Sequence, residues 1–279
     1  MDFITLANTH IPDIINTFNE TFSDYFIRLQ LNKETMADKI KSENILMRYS
    51  VGAFENERLV GFILHGFDIV DSVKTIYNAG TGVVPEFRGK GITASMYQYC
   101  LPLLAAEGIS THILEVIDNN YPAIKIYEQA GFKKIRTLSA FKCSTVITAD
   151  KQYEIKQIET IDEETRSFFS MEPAWQNSLA SIKRDLQGHT IPGVFESDKL
   201  IAYAAYVPTT GRVRQCGVDS SYRRKGFGTA LFQHMMQNSA TGELTITNFD
   251  EDYKPGISFL QSLGFKKILG LYEMKLVLE

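Results

Sequence analysis

The chain has 279 residues, with 29 basic and 33 acidic side chains giving a formal charge of −4, and it is 44% apolar and 22% charged. This is globular composition, large enough for one big core or two of about 140 residues each, and it excludes collagen, a disordered chain and a disulfide miniprotein. Three cysteines, Cys100, Cys143 and Cys216, form no CxxC pair, so neither a disulfide framework nor a structural zinc site is expected.

No basic segment followed by an apolar run opens the sequence, and the longest apolar stretch, Leu200 to Val207, is far below the roughly 20 residues that cross a bilayer. A soluble, cytoplasmic protein without a membrane partner is expected. The slight acidic excess argues against nucleic acid as the main partner, because phosphate contacts need a clustered basic surface.

In chain order, Leu46 to Phe54 and Arg58 to Val70 are rich in β-branched and aromatic residues and flank the polar turn Glu55-Asn56-Glu57, which predicts a hairpin. Thr75 to Val84 predicts the next strand. Ile92, Met96, Cys100 and Leu103 then recur at helical spacing and predict a helix with one buried stripe. A strand over His112 to Ile117 follows, then a short helix over Pro122 to Ala130 that ends at Gly131.

The same order then returns. Val83 to Thr93, with Arg88, Gly89, Lys90 and Gly91, is echoed by Val218 to Gly228, with Arg223, Arg224, Lys225 and Gly226, 135 residues later. Gly131-Phe132-Lys133-Lys134-Ile135 is echoed by Gly264-Phe265-Lys266-Lys267-Ile268 at an offset of 133. Two landmarks in register predict two tandem copies of one mixed α/β fold, residues 1–146 and 152–279, joined by the polar segment Ser144 to Gln152. In the second copy Phe227, Leu231 and Met235 mark the helix after the loop, Glu243 to Thr247 the next strand, and Pro255 to Leu263 the short helix before Gly264.

A strand that stops at a basic, glycine-bearing loop and resumes as a helix offers free backbone N–H groups and the positive end of a helix dipole to an anion. In the first copy Gly89 and Gly91 admit close approach while Arg88 and Lys90 add charge; in the second, Arg223, Arg224, Lys225, Gly226 and Gly228 do so. Neither loop has the spacing of a Walker A motif or of the dinucleotide fingerprint.

These residues resemble the GNAT superfamily of N-acetyltransferases, whose cofactor loop reads Gln/Arg-x-x-Gly-x-Gly/Ala after a Val-x-Pro strand end. The first copy gives Val83-x-Pro85-x-x-Arg88-x-x-Gly91-x-Thr93, with threonine where the family usually has glycine or alanine; the second gives Arg223-x-x-Gly226-x-Gly228, with Ser220 in place of the proline. The resemblance implies two tandem GNAT-like domains, each a largely antiparallel sheet flanked by helices. It also implies acetyl-CoA as cofactor, held by Val83, Val84, Pro85, Arg88, Gly89, Lys90, Gly91, Ile92, Thr93 and Ala94, and in the second copy by Val218, Arg223, Arg224, Lys225, Gly226, Phe227 and Gly228.

The downstream segment Asn120-x-x-Ala123-x-x-Ile126-Tyr127-x-x-x-Gly131-Phe132 is similar to the family's Asn-x-x-Ala-x-x-Leu/Ile-Tyr-x-x-x-Gly-Phe segment. By this resemblance Asn120 contacts the pantetheine arm and Tyr127 is the general acid that protonates the leaving thiolate. Glu115, on the strand face of Ile113 and Ile117, is the candidate base; Leu114-Glu115-Val116 before Asn120 and Tyr127 resembles the ribosomal-protein alanine acetyltransferases, where a glutamate at this place is the base. An edge glutamate paired with a lysine is the other reading of Glu115, and Asp118 and His112 are weaker substitutes.

The second copy has Leu260 at the position of Tyr127 and Asn248 at that of Glu115, so it keeps a phosphate loop without the usual acid and base unless Tyr253 or Tyr272 substitutes. The five histidines show no ligand spacing, so no metal is expected. No serine or cysteine sits in a nucleophile elbow, which favours direct transfer in a ternary complex. Cys100 reads as a small core residue, and Trp175 as a core or interface residue ahead of a pocket wall. Asp24, Tyr25 and Arg28 fall where the family places acceptor-binding helices, although a solvated helix face explains them as well.

The expectation is therefore an acetyl-CoA-dependent N-acetyltransferase acting on a primary amine of a small molecule or peptide, as a monomer or homodimer, with a non-catalytic acyl-CoA sensor or assembly module as the alternative.

Overall fold

A computed structural model describes residues 1–24 and 29–278, apart from the side chains of Glu163 and Glu164. Two compact units result. The first comprises Met1–Ile135 with Tyr272–Glu279, and the second Arg136–Leu271.

The first unit runs through β1 (Asp2–Thr5), α1 (Ile11–Thr21), α2 (Lys33–Glu43), β2 (Val51–Glu55), β3 (Arg58–Val70), β4 (Val73–Val83), α3 (Ile92–Ala106), β5 (Thr111–Ile117), α4 (Tyr121–Gln129) and the start of β6 (Lys133–Cys143). Its strands lie in the order β1-β2-β3-β4-β5, antiparallel until β4 meets β5 in parallel. The hairpin expected around Glu55-Asn56-Glu57 is present, with Asn56 and Glu57 both at positive φ as a tight two-residue turn requires. Its first strand begins only at Val51, because the Ser50 N–H and Oγ turn back onto the Leu46 carbonyl. In α3 the buried stripe is Ile92, Met96, Cys100 and Leu104, with Tyr97 beside it. Leu103, expected in the stripe, is 46% exposed, since steps of four hold the face.

The second unit continues with β7 (Ile155–Gln157), α5 (Leu179–Arg184), β8 (Pro192–Glu196), β9 (Lys199–Val207), β10 (Arg212–Val218), α6 (Phe227–Asn238), β11 (Leu244–Asp250), α7 (Lys254–Ser262) and the start of β12 (Lys266–Val277). Its order is β7-β8-β9-β10-β11-β6, with β10 and β11 parallel.

The units are not the segments 1–146 and 152–279 expected from the linker. Strand β6 pairs with β11, Phe141 opposite Ile246, and Phe141 and Cys143 are buried in the second unit's core. Met274 of β12 is buried in the first unit's core, and the Leu278 N–H bonds the Ser110 carbonyl. Each copy's last strand thus ends outside the copy that encodes it. Among the described residues no helix is long and apolar enough to cross a membrane.

Candidate active site

Parallel strands need continuous pairing to stay side by side, and here the pairing stops early. Between β4 and β5 it covers Thr75, Ile76 and Tyr77 opposite Thr111, His112 and Ile113, although the strands run on to Val83 and Ile117. The register of β4 against β3 slips just there, between Leu64 and His65. The second unit repeats this: β10 and β11 pair only at Arg212 and Val213, and β10 slips against β9 directly after Val213. Each unit therefore has a fork between two splayed strands that leads from the sheet to the loop before α3 or α6.

Each loop ends in a helix N-terminus that a ligand can reach. Gly91 at φ 74° is the N-cap of α3, and Gly226 at φ 99° that of α6; neither supplies a side chain to the first-turn N–H groups. An added Cβ at Gly91 meets nothing within 4 Å, so the side of this glycine is open, whereas one at Gly226 would meet Tyr153 at 3.5 Å. Ile92, Thr93 and Ala94 form the first turn of α3, as Phe227 and Gly228 do in α6. This backbone geometry fits a diphosphate.

Arg88 and Arg223, expected at the cofactor, also brace their loops. The Arg88 guanidinium donates to both Asp24 carboxylate oxygens, at 2.7 and 2.9 Å, to the Thr21 carbonyl at 2.6 Å and, through Nε, to the Val83 carbonyl at 3.2 Å. It ties the end of α1 to the end of β4. Asp24 is held below the usual carboxylate range by this hydrogen bond, and its place is beside the loop. Arg223 repeats the device, bonding the carbonyls of Val218 at 3.1 Å and Phe168 at 3.1 Å. Lys90 lies over the Phe87 ring and Lys225 over Tyr222. Val83 and Val84 are buried, so their backbone alone can meet a ligand, whereas Pro85 is exposed. Tyr25 and Arg28 lie outside the described residues.

Polar side chains gather at the first fork. Tyr77 donates its hydroxyl to Glu115 Oε2 at 2.6 Å. One residue on, the Asn78 amide bonds the Tyr97 hydroxyl at 2.9 Å and Thr81 Oγ1 at 2.7 Å, while its oxygen accepts from the Gly80 N–H at 2.9 Å and pins the irregular part of β4. The Tyr97 ring stands edge-on to Tyr127, centroids 5.9 Å apart at 88°, and both pack on Phe132. Burial holds the Tyr97 phenol well above its ordinary pKa, and proximity to Tyr127 adds to this. Tyr127 is itself 8% exposed. Asn120 caps α4, its side chain accepting from the Ala123 N–H. Tyr77, Asn78 and Tyr97 were not singled out in the sequence; the signal was there in two adjacent polar side chains, Tyr77 and Asn78, in a strand otherwise bound for a core.

At the second fork the counterparts of Asn78, Tyr97 and Tyr127 are Val213, Phe232 and Leu260. The strand register puts Thr247 at the place of Glu115, accepting from Arg212 at 3.1 Å as Glu115 accepts from Tyr77; Asn248, which the sequence offset gives, lies in the adjoining bulge. There the structure has a cavity of about 470 Å³, running from Arg224, Gly226 and Gly228 to Val213 and Leu260. Tyr253 lines it. Tyr272 belongs to the first unit, under Lys134 Nζ at 3.7 Å.

Beneath the first fork His65 and His112 are fully buried and edge-on to each other at 4.8 Å. His65 Nδ1 bonds the Tyr49 carbonyl at 2.7 Å, whereas His65 Nε2 and both nitrogens of His112 have no hydrogen-bond partner among the described residues. Burial lowers His65 to about 4 and His112 well below the ordinary imidazole value, so both are neutral and His112 lies in the core. Cys100 is core as expected, its thiol pushed up by burial to about 12. Trp175 is buried as well. Among the described residues no cluster of three or more His, Cys, Asp or Glu could hold a metal ion.

The comparisons agree with this geometry. The sequence profile of the Acetyltransferase (GNAT) family matches twice, over residues 11–132 and 153–265. An N-alpha-acetyltransferase of Saccharolobus solfataricus is 28% identical over 153 residues, which is 49% of this chain and 84% of that protein. Among solved structures, a tandem GNAT protein from the clavulanic acid biosynthesis pathway superposes over 100% of this chain and 98% of its own, with TM-score 0.73 and 13% identity. A putative acetyltransferase from Pyrococcus horikoshii does so over 100% and 89%, with TM-score 0.69 and 13% identity. At that identity the likeness is one of fold, whereas the doubled profile match spans most of the chain. The chain belongs to the GNAT acetyltransferase family, as a tandem pair of its domains and an N-acetyltransferase by class.

Proposed function

We propose that the first unit moves an acetyl group from acetyl-CoA to a primary amine of a small molecule or peptide, by direct transfer in a ternary complex. The observation that carries this reading is the meeting of Glu115, Tyr77, Asn78, Tyr97 and Tyr127 around the fork that opens toward the Gly91 loop. Acetyl-CoA supplies the activated acetyl thioester when bound. The first-turn N–H groups of Ile92, Thr93 and Ala94 hold its diphosphate, with Lys90 adding charge and Arg88 keeping the loop in place. Glu115 accepts a proton from the amine at a carboxylate oxygen, and the Tyr77 hydroxyl orients that carboxylate. Tyr127 gives its phenolic proton to the sulfur. Holding both reactants side by side lowers a barrier by roughly 7 to 11 kcal/mol in favourable cases, so the loss of one proton donor slows turnover without abolishing it. A cytoplasmic monomer or homodimer is the proposed setting.

The test is release of free CoA thiol from acetyl-CoA with a panel of amines, for wild type, Tyr127→Phe and Glu115→Gln. Expected are a lower kcat in both variants with acetyl-CoA binding retained, and in Glu115→Gln a lost acidic limb of the pH–rate profile. Cofactor binding without amine-dependent release across a broad panel would overturn the enzymatic reading in favour of an acyl-CoA sensor.

A further inference from the structure

The cavity of the second unit has ends of opposite character. At one end stand Arg224 and the N-terminus of α6 behind Gly226, which has no side-chain cap and is flanked by Tyr153. At its inner end, Phe232 and Leu260 replace Tyr97 and Tyr127, and Val213 replaces Asn78, so two hydroxyls and an amide give way to hydrocarbon. These three side chains are buried in one apolar cluster and also line the cavity, together with Ile246, Phe249 and Phe259. At the first fork Asn78 and Tyr97 are hydrogen-bonded to each other beside Tyr127; at the second fork the corresponding side chains form an apolar part of the cavity lining. An empty apolar chamber forfeits dispersion contacts and gains when an apolar group fills it.

A ligand that fits both ends carries an anionic head and an apolar tail. We infer that the second unit binds a CoA thioester whose acyl group is apolar and larger than acetyl. This rests on the reading that the loop from Arg223 to Gly228 holds the CoA diphosphate. Leu260 has no proton to give a leaving sulfur and neither Thr247 nor Asn248 is a base, so turnover at this fork would rest on Tyr253, which lines the same cavity; binding alone is inferred. Polar side chains, Asn177, Arg214 and Gln215 among them, also line the cavity, so a carboxylate-bearing acyl group is the competing ligand chemistry. Arg214 bonds the Gln176 carbonyl and Ser181 Oγ, which directs its guanidinium to the protein.

Calorimetric titration of the full chain with CoA, acetyl-CoA, octanoyl-CoA and succinyl-CoA tests this, using wild type, Leu260→Tyr, Leu260→Trp and Arg224→Glu. Octanoyl-CoA is expected to bind at least about tenfold more tightly than acetyl-CoA, since six more methylenes leave water. In Leu260→Trp that advantage disappears while two CoA per chain still bind as in wild type, which shows that the second unit is folded; Leu260→Tyr, restoring the first copy's residue, reduces it. Equal affinities for the acetyl and octanoyl thioesters, an octanoyl advantage unchanged in both Leu260 variants, or tightest binding of succinyl-CoA would each overturn the inference. The underlying reading fails separately if Arg224→Glu weakens none of the four ligands.

Discussion

Acidification should destabilise the first unit before any carboxylate titrates, and the buried histidine pair sets the size of the effect. A histidine whose folded pKa lies below its unfolded value contributes stability that is complete above about pH 6.5 and is lost as pH falls toward the folded value. For His65, lowered from 6.5 to about 4 by burial, the loss is about 2 kcal/mol at pH 5 and about 3 kcal/mol at pH 4. His112 adds a loss of the same sign, from burial and from the neighbouring His65. The rings and groups around the pair, Tyr97, Phe132 and the Tyr49 carbonyl, supply no carboxylate to hold a charged imidazole. The carboxylates held below their ordinary values, Asp24, Asp219, Glu243 and Glu251, lose their contribution only as pH drops through and below about 4.5, so a comparison of pH 7.5 with pH 5 isolates imidazoles. His189 and His234 of the second unit, also lowered by burial, are common to all the variants and cancel. Urea denaturation at both pH values should then show a smaller acid-induced loss in His65→Asn, by about 2 kcal/mol, because asparagine keeps a donor for the Tyr49 carbonyl and cannot become charged. His112→Leu should also shrink the loss, and it forfeits no hydrogen bond. Identical losses in wild type and both variants would refute the reasoning.

Met274→Ala is expected to cost about 2 to 5 kcal/mol and to act on the first unit, which is where that side chain is buried; a change confined to the second unit's unfolding would contradict the division of the strands. Gly91→Ala places a Cβ over the helix N-terminus at positive φ, a strain of about 1 to 2 kcal/mol. Its acetyl-CoA affinity in the first unit should fall well beyond any change in melting temperature, and an unaffected affinity would remove the loop from the cofactor site. Arg88→Ala should lower the melting temperature by freeing the end of α1 and, since the loop loses its brace, weaken acetyl-CoA binding modestly alongside. Strong loss of affinity with unchanged melting would instead give the guanidinium a direct role at the phosphate.

Local patterns were legible wherever the chain specifies them locally. The loop glycines, the strand over Arg58 to Val70 and the short helix ended by Gly131 all appear where spacing and capping chemistry put them, and so does the stripe of α3 apart from its last member, Leu104 in place of Leu103. What stayed hidden depends on partners far along the chain. Asp24 lies 64 residues from Arg88, and nothing beside Arg88 distinguishes a phosphate ligand from a brace. The fork leaves no mark of its own, since strands that part look like strands that pair. The destination of the last strands was equally hidden. Gly131 to Ile135 and Gly264 to Ile268 have the same five residues, so that identity cannot say which sheet each strand joins.

The two copies also show why a loop motif is a poor guide to chemistry. An anion is held by backbone N–H groups and positive-φ turns, which survive many substitutions; Arg224 at φ 64° even takes the turn position of Gly89 at 75°. Proton transfer is carried by side chains, and four of these differ at the second fork. On the proposed reading, the second copy keeps the binding loop without the first copy's acid and base, and its apolar side chains suit a different acyl group. For the first copy the same logic runs in reverse. Asn78 and Tyr97 have no place in the loop motif, yet their hydrogen bond fixes the irregular strand and the ring against which Tyr127 stands. Had the first unit only bound CoA, the backbone loop would have sufficed, and burying this polar cluster would be a cost with no return in binding.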